Sequence, residues 1–256
     1  MCSCKLPTCL VCRVDLMQFF QLLRSILFTT LYFTLTTLIG VVVIASTVFP
    51  YRVRWAITHQ WSRLIIWLLK VLCDLDLVVE GRENIPPGCH VTMWKHSSTW
   101  ETIAQALVFP EQAWVMKREL LWIPVVGWSL AAMLPIAINR SAGGSAVKQV
   151  ITQGKERLKA GRWIVIFPEG TRTAPGETRK YGISGALLAI EAGVSIVPVA
   201  HTAGYFWPRR GWIKKPGAIR LVIGKPMPTQ GRDARELTSE LQTWMDQTVA
   251  EIAPRD

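Results

Sequence analysis

Charge is scarce in this 256-residue chain: Asp, Glu, Lys and Arg make up 18% of it, against roughly 25% in an average soluble domain. Disordered chains show the opposite balance, so intrinsic disorder is excluded. Acid is scarcer than base, with 18 Asp and Glu against 29 Lys and Arg, which leaves a formal charge of +11. Cysteine is sparse and badly placed for a disulfide framework. Of six, Cys2, Cys4, Cys9 and Cys12 crowd the N-terminus, while Cys73 and Cys89 stand apart. A reducing compartment is therefore expected. The N-terminal four could be drawn as a zinc knuckle, but no His or second ligand-bearing scaffold lies nearby, so no metal is expected. Tyrosine is rare, at four residues, whereas Trp occurs 12 times and half of all residues are hydrophobic. Apolar sequence with excess positive charge points to a membrane surface or a phosphorylated partner, and indole rings settle at the bilayer interface. A nucleic-acid partner is not expected, because no RNA- or DNA-binding motif is present.

The longest uncharged run is Ile26–Phe49, 24 residues, which as a helix would reach about 36 Å and could cross a hydrocarbon core of about 30 Å. It is too long for a signal peptide and lacks a cleavage site; Pro50 ends it. Trp55–Leu72 follows as a second apolar segment, interrupted by His59, Arg63 and Lys70, with Trp55, Trp61 and Trp67 at intervals of six. That pattern suits an interfacial helix. Arg13 and Arg24 precede the first segment and Arg52, Arg54 and Arg63 follow it, so the positive-inside rule gives no orientation. One spanning helix or a shallow hairpin in one leaflet both fit, with the hairpin preferred. Met17 opens a membrane-entry sequence and is a candidate start.

From Asp74 the pattern changes. Short apolar runs read as strands at Leu77–Val79, His90–Trp94, Ala113–Met116, Ile136–Ile138, Trp163–Phe167, Ser195–Ala200 and Ile219–Ile223. Helical stretches alternate with them at Thr99–Val108, Ser145–Ala160, Ile183–Ala192 and Arg235–Ile252. This predicts an α/β fold with a largely parallel or mixed sheet flanked by helices, preceded by a membrane-embedded helix or helical hairpin. Residues 1–73 form the expected membrane segment and 74–256 the expected globular domain. Between Arg172 and Lys225 nine basic residues face two acidic ones, a face suited to anionic headgroups.

Three groups of residues follow strands, at the sheet edge where α/β active sites form. In Lys95-His96-Ser97-Ser98-Thr99-Trp100-Glu101 the Ser/Thr run is expected to cap a helix. Glu101 would then sit one turn from His96, able to fix one imidazole nitrogen and leave the other as a base. In Phe167-Pro168-Glu169-Gly170-Thr171-Arg172 a glycine turn presents a guanidinium fork suited to phosphate. Met116-Lys117-Arg118-Glu119-Leu120, with Pro124-Val125-Val126-Gly127 and Pro135-Ile136-Ala137-Ile138-Asn139-Arg140, adds cations at the same edge. Ser97 and Ser98 lie outside any G-x-S-x-G elbow, which speaks against a serine nucleophile.

In this order, from about Leu77 to Pro228 and with Val194–Val199 as a fourth block, these motifs resemble the glycerolipid acyltransferase family, and within it the bacterial branch that acylates lysophosphatidate. The family's first block is H-x4-D; here the acid is Glu101, and Lys95 stands where Asn is usual. Both departures bear on the acceptor more than on the reaction class. The resemblance implies that His96 deprotonates the acceptor hydroxyl, which attacks an acyl thioester, while Glu101 orients His96. It implies that Arg172, with Glu169, Gly170, Thr171, Lys117 and Arg140, holds the acceptor phosphate. No cofactor is implied. Expected partners are membrane lipids, lysophosphatidate, and acyl-CoA or acyl-acyl carrier protein as donor. The expected location is the cytoplasmic side of a bacterial inner membrane. Two rivals remain: the same chemistry on another lyso-lipid, such as a lyso-ornithine lipid, and a phospholipid-binding protein without catalysis.

Overall fold

The computed structural model describes residues 6–139 and 143–254, with side chains from residue 17 onward. Cys2, Cys4 and Arg140 lie outside the described residues, and Cys9 and Cys12 are described in main chain alone. Helix α1 (Leu6–Ala45) is followed by a 3-10 turn, Ser46–Val48, and by α2 (Tyr51–Cys73). The uncharged run thus marks only part of α1. Gln18, Gln21 and Arg24 limit insertion into lipid but not helix formation, so the helix starts well before Ile26. It stops before Phe49 because that residue precedes Pro50 and is held extended, at φ −100° and ψ 163°.

The two helices form an antiparallel hairpin. Trp61 Nε1 donates to Thr36 Oγ1 at 3.2 Å, and Gln21 Nε2 donates to the Cys73 carbonyl at 3.0 Å. Met17–Val48 is long and apolar enough to cross a membrane. Its outer face, including Phe19, Phe20, Leu27, Phe33 and Leu38, is exposed.

Next come β1 (Leu75–Glu80), β2 (Val91–Trp94), α3 (Glu101–Val108), β3 (Gln112–Lys117), α4 (Val126–Ala132), β4 (Ile136–Ile138) and α5 (Gly144–Lys159). The chain continues through β5 (Trp163–Ile166), α6 (Ser184–Ala192), β6 (Ile196–His201), α7 (Ala203–Phe206), β7 (Gly217–Ile223) and α8 (Ala234–Ile252). All seven expected strands form one sheet, in the order β1-β7-β6-β2-β5-β3-β4. Every neighbouring pair is parallel except β6 and β7. Strands buried on both faces are continuous apolar runs, as β2 and β5 show. The expected helices form too, whereas α4 and α7, at seven and four residues, are too short to carry a helical period.

That single antiparallel pairing fixes the geometry of the working edge. β2, β5, β3, β4 and β6 all end on one side of the sheet, and β1, running the other way, begins there. The end of α2 therefore meets the edge where β2 and β5 finish. One apolar cluster joins the hairpin to the sheet: Phe28, Ile65, Leu69 and Cys73 share it with Trp94, Trp100, Ile103 and Val165. Ser62 Oγ adds a buried hydrogen bond to the Ile103 carbonyl at 2.6 Å.

Candidate functional site

β2 delivers His96 two residues beyond its last residue, and α3 starts with Glu101. His96 Nδ1 lies 2.8 Å from Glu101 Oε1. The same oxygen accepts from the main-chain N–H of Ser97 at 2.9 Å and of Ser98 at 2.8 Å. An ionised carboxylate only accepts, so Nδ1 carries the proton and Nε2 is left with its lone pair. The His96 ring stacks on Phe167, with centroids 4.2 Å apart. Glu101 is fully buried. Burial acts most strongly on its carboxyl and would raise its pKa, but the hydrogen bond from His96, nearby imidazole charge and the Ser98 N–H outweigh it and hold the pKa below the usual range.

The expected Ser/Thr cap takes a different form. Trp100 is the N-cap and makes no side-chain cap; Ser98 Oγ accepts from the Trp100 N–H at 3.1 Å and donates to the Trp207 carbonyl at 2.6 Å. The first helical N–H groups turn to the main chain, Thr102 to the Thr99 carbonyl at 3.2 Å and Ile103 to that of Trp100 at 3.0 Å, while Glu101 reaches back from the helix's first residue to the N–H groups of Ser97 and Ser98.

β5 lies beside β2, so the turn after β5 meets the His96 loop. Gly170 there has φ +69°, a conformation that only glycine adopts cheaply. The Glu169 carboxylate points inward. Its Oε1 lies 3.1 Å from Lys95 Nζ and accepts the His96 main-chain N–H at 3.0 Å, while Oε2 accepts from Thr173 Oγ1 at 2.5 Å. Thr173 N donates to the His96 carbonyl at 2.8 Å. Lys95 and both main-chain polar groups of His96 are thus tied to the turn.

Arg172 faces the other way. It lines an open cavity of about 610 Å³ with Thr171, Thr173, Glu177, Thr178, Arg179 and Arg209. Its Nε is buried without a hydrogen-bond partner, and its charge reaches Tyr32 on α1. Lys117 is exposed at the end of β3, two strands from β2 and so about 10 Å away along the edge. Among the described residues no three His, Cys, Asp or Glu side chains gather as metal ligands.

Two residues at the site have settings that the sequence does not show. Lys95 opens the first motif, where Asn is usual, and it is buried in an ion pair with Glu169. His201 reads as the tail of an apolar strand. It is fully buried, packs on Trp100 with centroids 5.6 Å apart, and sits 3.9 Å from Glu101 Oε2. Its Nε2 donates to the Lys95 carbonyl at 2.9 Å and its Nδ1 accepts from the Ala203 N–H at 3.3 Å, the pattern of a neutral ring. Burial pushes its pKa down, more than the nearby carboxylates restore it. α7 closes against the same loop: a Cβ on Gly204 would stand 2.9 Å from Ser97 Cβ, so only glycine fits.

Residues 76–202 match the family model described as Acyltransferase, a span that holds Lys95, His96, Glu101, Glu169, Arg172 and His201. A 1-acyl-sn-glycerol-3-phosphate acyltransferase from Pseudomonas aeruginosa is 44% identical over 211 residues, covering 81% of this chain and 82% of that one. A yeast protein of the same description, from Saccharomyces cerevisiae, is 28% identical over 198 residues, covering 74% of this chain and 65% of its own length. The crystal structure of a 1-acyl-sn-glycerophosphate acyltransferase from Thermotoga maritima superposes with a TM-score of 0.75 at 22% identity, over 92% of this chain and 98% of that one. That structural likeness speaks for the fold, and the Pseudomonas relative's identity and coverage speak for descent: this chain belongs to the acyltransferase family.

Proposed function

We propose that the protein transfers a fatty acyl group from an acyl thioester to the free hydroxyl of 1-acyl-glycerol-3-phosphate, giving phosphatidic acid. The observation that carries this reading is the 2.8 Å contact of His96 Nδ1 with a buried carboxylate, which leaves Nε2 free at the sheet edge that also bears Arg172. His96 Nε2 takes the hydroxyl proton as the oxygen attacks the thioester carbonyl. The tetrahedral intermediate collapses, the C–S bond breaks, and the thiolate leaves with the proton held by His96. Glu101 stabilises the imidazolium formed in between. Arg172 binds the acceptor phosphate, with Gly170 and Thr171 shaping the turn, Lys117 adding charge along the edge, and Arg140 a further candidate cation from the motif. Glu169 acts as a positioning residue, because its oxygens are committed to Lys95, Thr173 and the His96 N–H.

Residues 1–73 serve as the membrane segment and 74–256 as the acyltransferase domain. The hairpin keeps the site beside lipid, where both acyl chains partition. Free thiols at Cys73 and Cys89 and the bacterial relative favour the cytoplasmic face of an inner membrane. The test is an assay of the purified full-length protein with 1-acyl-glycerol-3-phosphate and either acyl-CoA or acyl-acyl carrier protein, read by phosphatidate mass. Absence of product with both donors from folded protein defeats the reading; product only from another lyso-lipid reassigns the acceptor.

A further inference from the structure

The cavity beside Arg172 holds more positive charge than a single phosphate contact uses. Arg179 and Arg209 line it together with Arg172, and Glu177 is its one acid. Glu177 is engaged in its own turn, where Oε2 accepts the Ala174 N–H at 3.0 Å and the carbonyl accepts from Lys95 Nζ at 3.4 Å. Among the described residues none of the three arginines has an ion-pair partner, and Arg172 Nε is buried with no acceptor at all. Three guanidinium groups against one acid leave the cavity at about +2. A phosphate monoester carries about −1.5 to −2 near pH 7, whereas a phosphodiester headgroup carries one negative charge and often a compensating amine.

The wall that bears Arg209 is also tied to the apolar hairpin. In the segment joining α7 to β7, Lys214 N donates to Ser25 Oγ at 2.9 Å, its Nζ donates to Thr29 Oγ1 at 2.5 Å, and its carbonyl accepts from Gln21 Nε2 at 2.6 Å. Trp212 and Ile213 beside it are exposed. A lipid lying along α1 would therefore bring its headgroup to the arginine cavity with its chains still among apolar side chains.

We propose that Arg179 and Arg209 are specificity-determining residues which, with Arg172, select an acceptor ending in a phosphate monoester over phosphodiester headgroups. This rests on the acyltransferase reading and goes beyond it by assigning the basis of headgroup choice. Both side chains are exposed, so each acts through a screened field; a single loss is worth about 2–5-fold in selectivity and a double loss about 4–25-fold.

The experiment compares two acceptors, 1-acyl-glycerol-3-phosphate and its phosphate methyl ester, which differ by one charge. Full-length protein in vesicles is assayed with saturating donor for the ratio of the two kcat/KM values. Arg179→Gln and Arg209→Gln should each reduce the ratio, the double variant most, and added salt should shrink the difference between wild type and variants. An unchanged ratio in the double variant overturns the proposal, as does a rise in donor KM with the ratio intact, which would give the cavity to the donor. Binding of a short-chain 1-acyl-glycerol-3-phosphate in a His96→Ala background supplies a second readout that needs no turnover. Weaker binding in the double variant supports the proposal even if the transfer chemistry fails, and equal binding defeats it even if the transfer chemistry holds.

Discussion

Two sets of charges share one edge of the sheet and are built in opposite ways. Around Glu169, Lys95 and the His96 main chain, every charge is buried and matched: the side chains of the pair are 6% and 0% exposed and lie 3.1 Å apart. Around Arg172, Arg179 and Arg209 three positive charges meet a single acid, Glu177, and Arg179 and Arg209 are open to solvent. The first arrangement fixes positions, because breaking any link leaves a buried charge unpaired. The second is held ready for an anion from outside. A base that must stand within hydrogen-bonding reach of a hydroxyl belongs with the first, and a headgroup that must enter and leave belongs with the second.

The largest expected effect falls on the fixed side. His96→Ala should lower kcat by about 10²–10⁴-fold while the protein stays folded and membrane-bound, as checked by circular dichroism and vesicle flotation. Near wild-type turnover would remove His96 from the chemistry. Glu101→Gln should reduce rate more than acceptor affinity, with Glu101→Asp the milder change.

The matched pair gives the next effect, on stability. Lys95→Met or Glu169→Gln should each cost about 3–5 kcal/mol, because one partner of a buried pair is stranded. Removing both charges together with Lys95→Met and Glu169→Met should recover much of that loss. Denaturant unfolding in detergent measures all of these; a double-variant cost equal to the sum of the two single costs would mean that the pairing itself contributes little.

On the open side, Arg172→Ala should raise the KM for 1-acyl-glycerol-3-phosphate by about 10–200-fold, the worth of a charge-assisted contact of about 1.5–3 kcal/mol. Arg172→Lys should restore only part, since a point charge lacks the fork. Steady-state kinetics with each substrate varied in turn would show the opposite pattern, a raised donor KM and an unchanged acceptor KM, if Arg172 served the donor.

The smallest effect is a slope. His201 is depressed below its ordinary value of about 6.5, so below that pH the unfolded chain takes up a proton that the folded chain refuses. Stability is then fully present above about pH 6.5 and is lost as pH falls toward the folded value, at up to about 1.4 kcal/mol per pH unit. Glu101 is depressed too, and its contribution is lost only at more acidic pH, below about 4.3. His201→Gln should flatten the upper window and leave the lower one. A titration of unfolding midpoints that kept its slope near pH 6 in this variant would assign the slope elsewhere.

What could be read from the chain alone follows the same division. β2 and β5 are legible because a strand buried on both faces needs an unbroken apolar run, and the spacing of His96 and Glu101 is legible because it falls within one strand-to-helix junction. The Lys95–Glu169 pair is not, because it joins residues 74 positions apart through the adjacency of β2 and β5, which no local pattern encodes. The motif reading grouped Glu169 with phosphate ligands, since a glycine turn says where the main chain goes and nothing about which way the preceding side chain points. His201 was hidden for a different reason: at the end of an apolar strand a histidine has no period to break. The basic block from Arg172 to Lys225 was visible as charge, but its folding into a cavity depends on a loop meeting a turn from elsewhere.

The shared interior of hairpin and sheet has a practical corollary for anyone wanting a water-soluble form. Cutting away residues 1–73 would strip Phe28, Ile65 and Leu69 from beside Trp94 and Trp100, exchanging a lipid-facing surface for a raw one. The better route is repainting rather than amputation. Polar residues at Phe19, Phe20, Leu27, Phe33 and Leu38, which point outward, would quench the greasy exterior of α1 and leave its inner face in place.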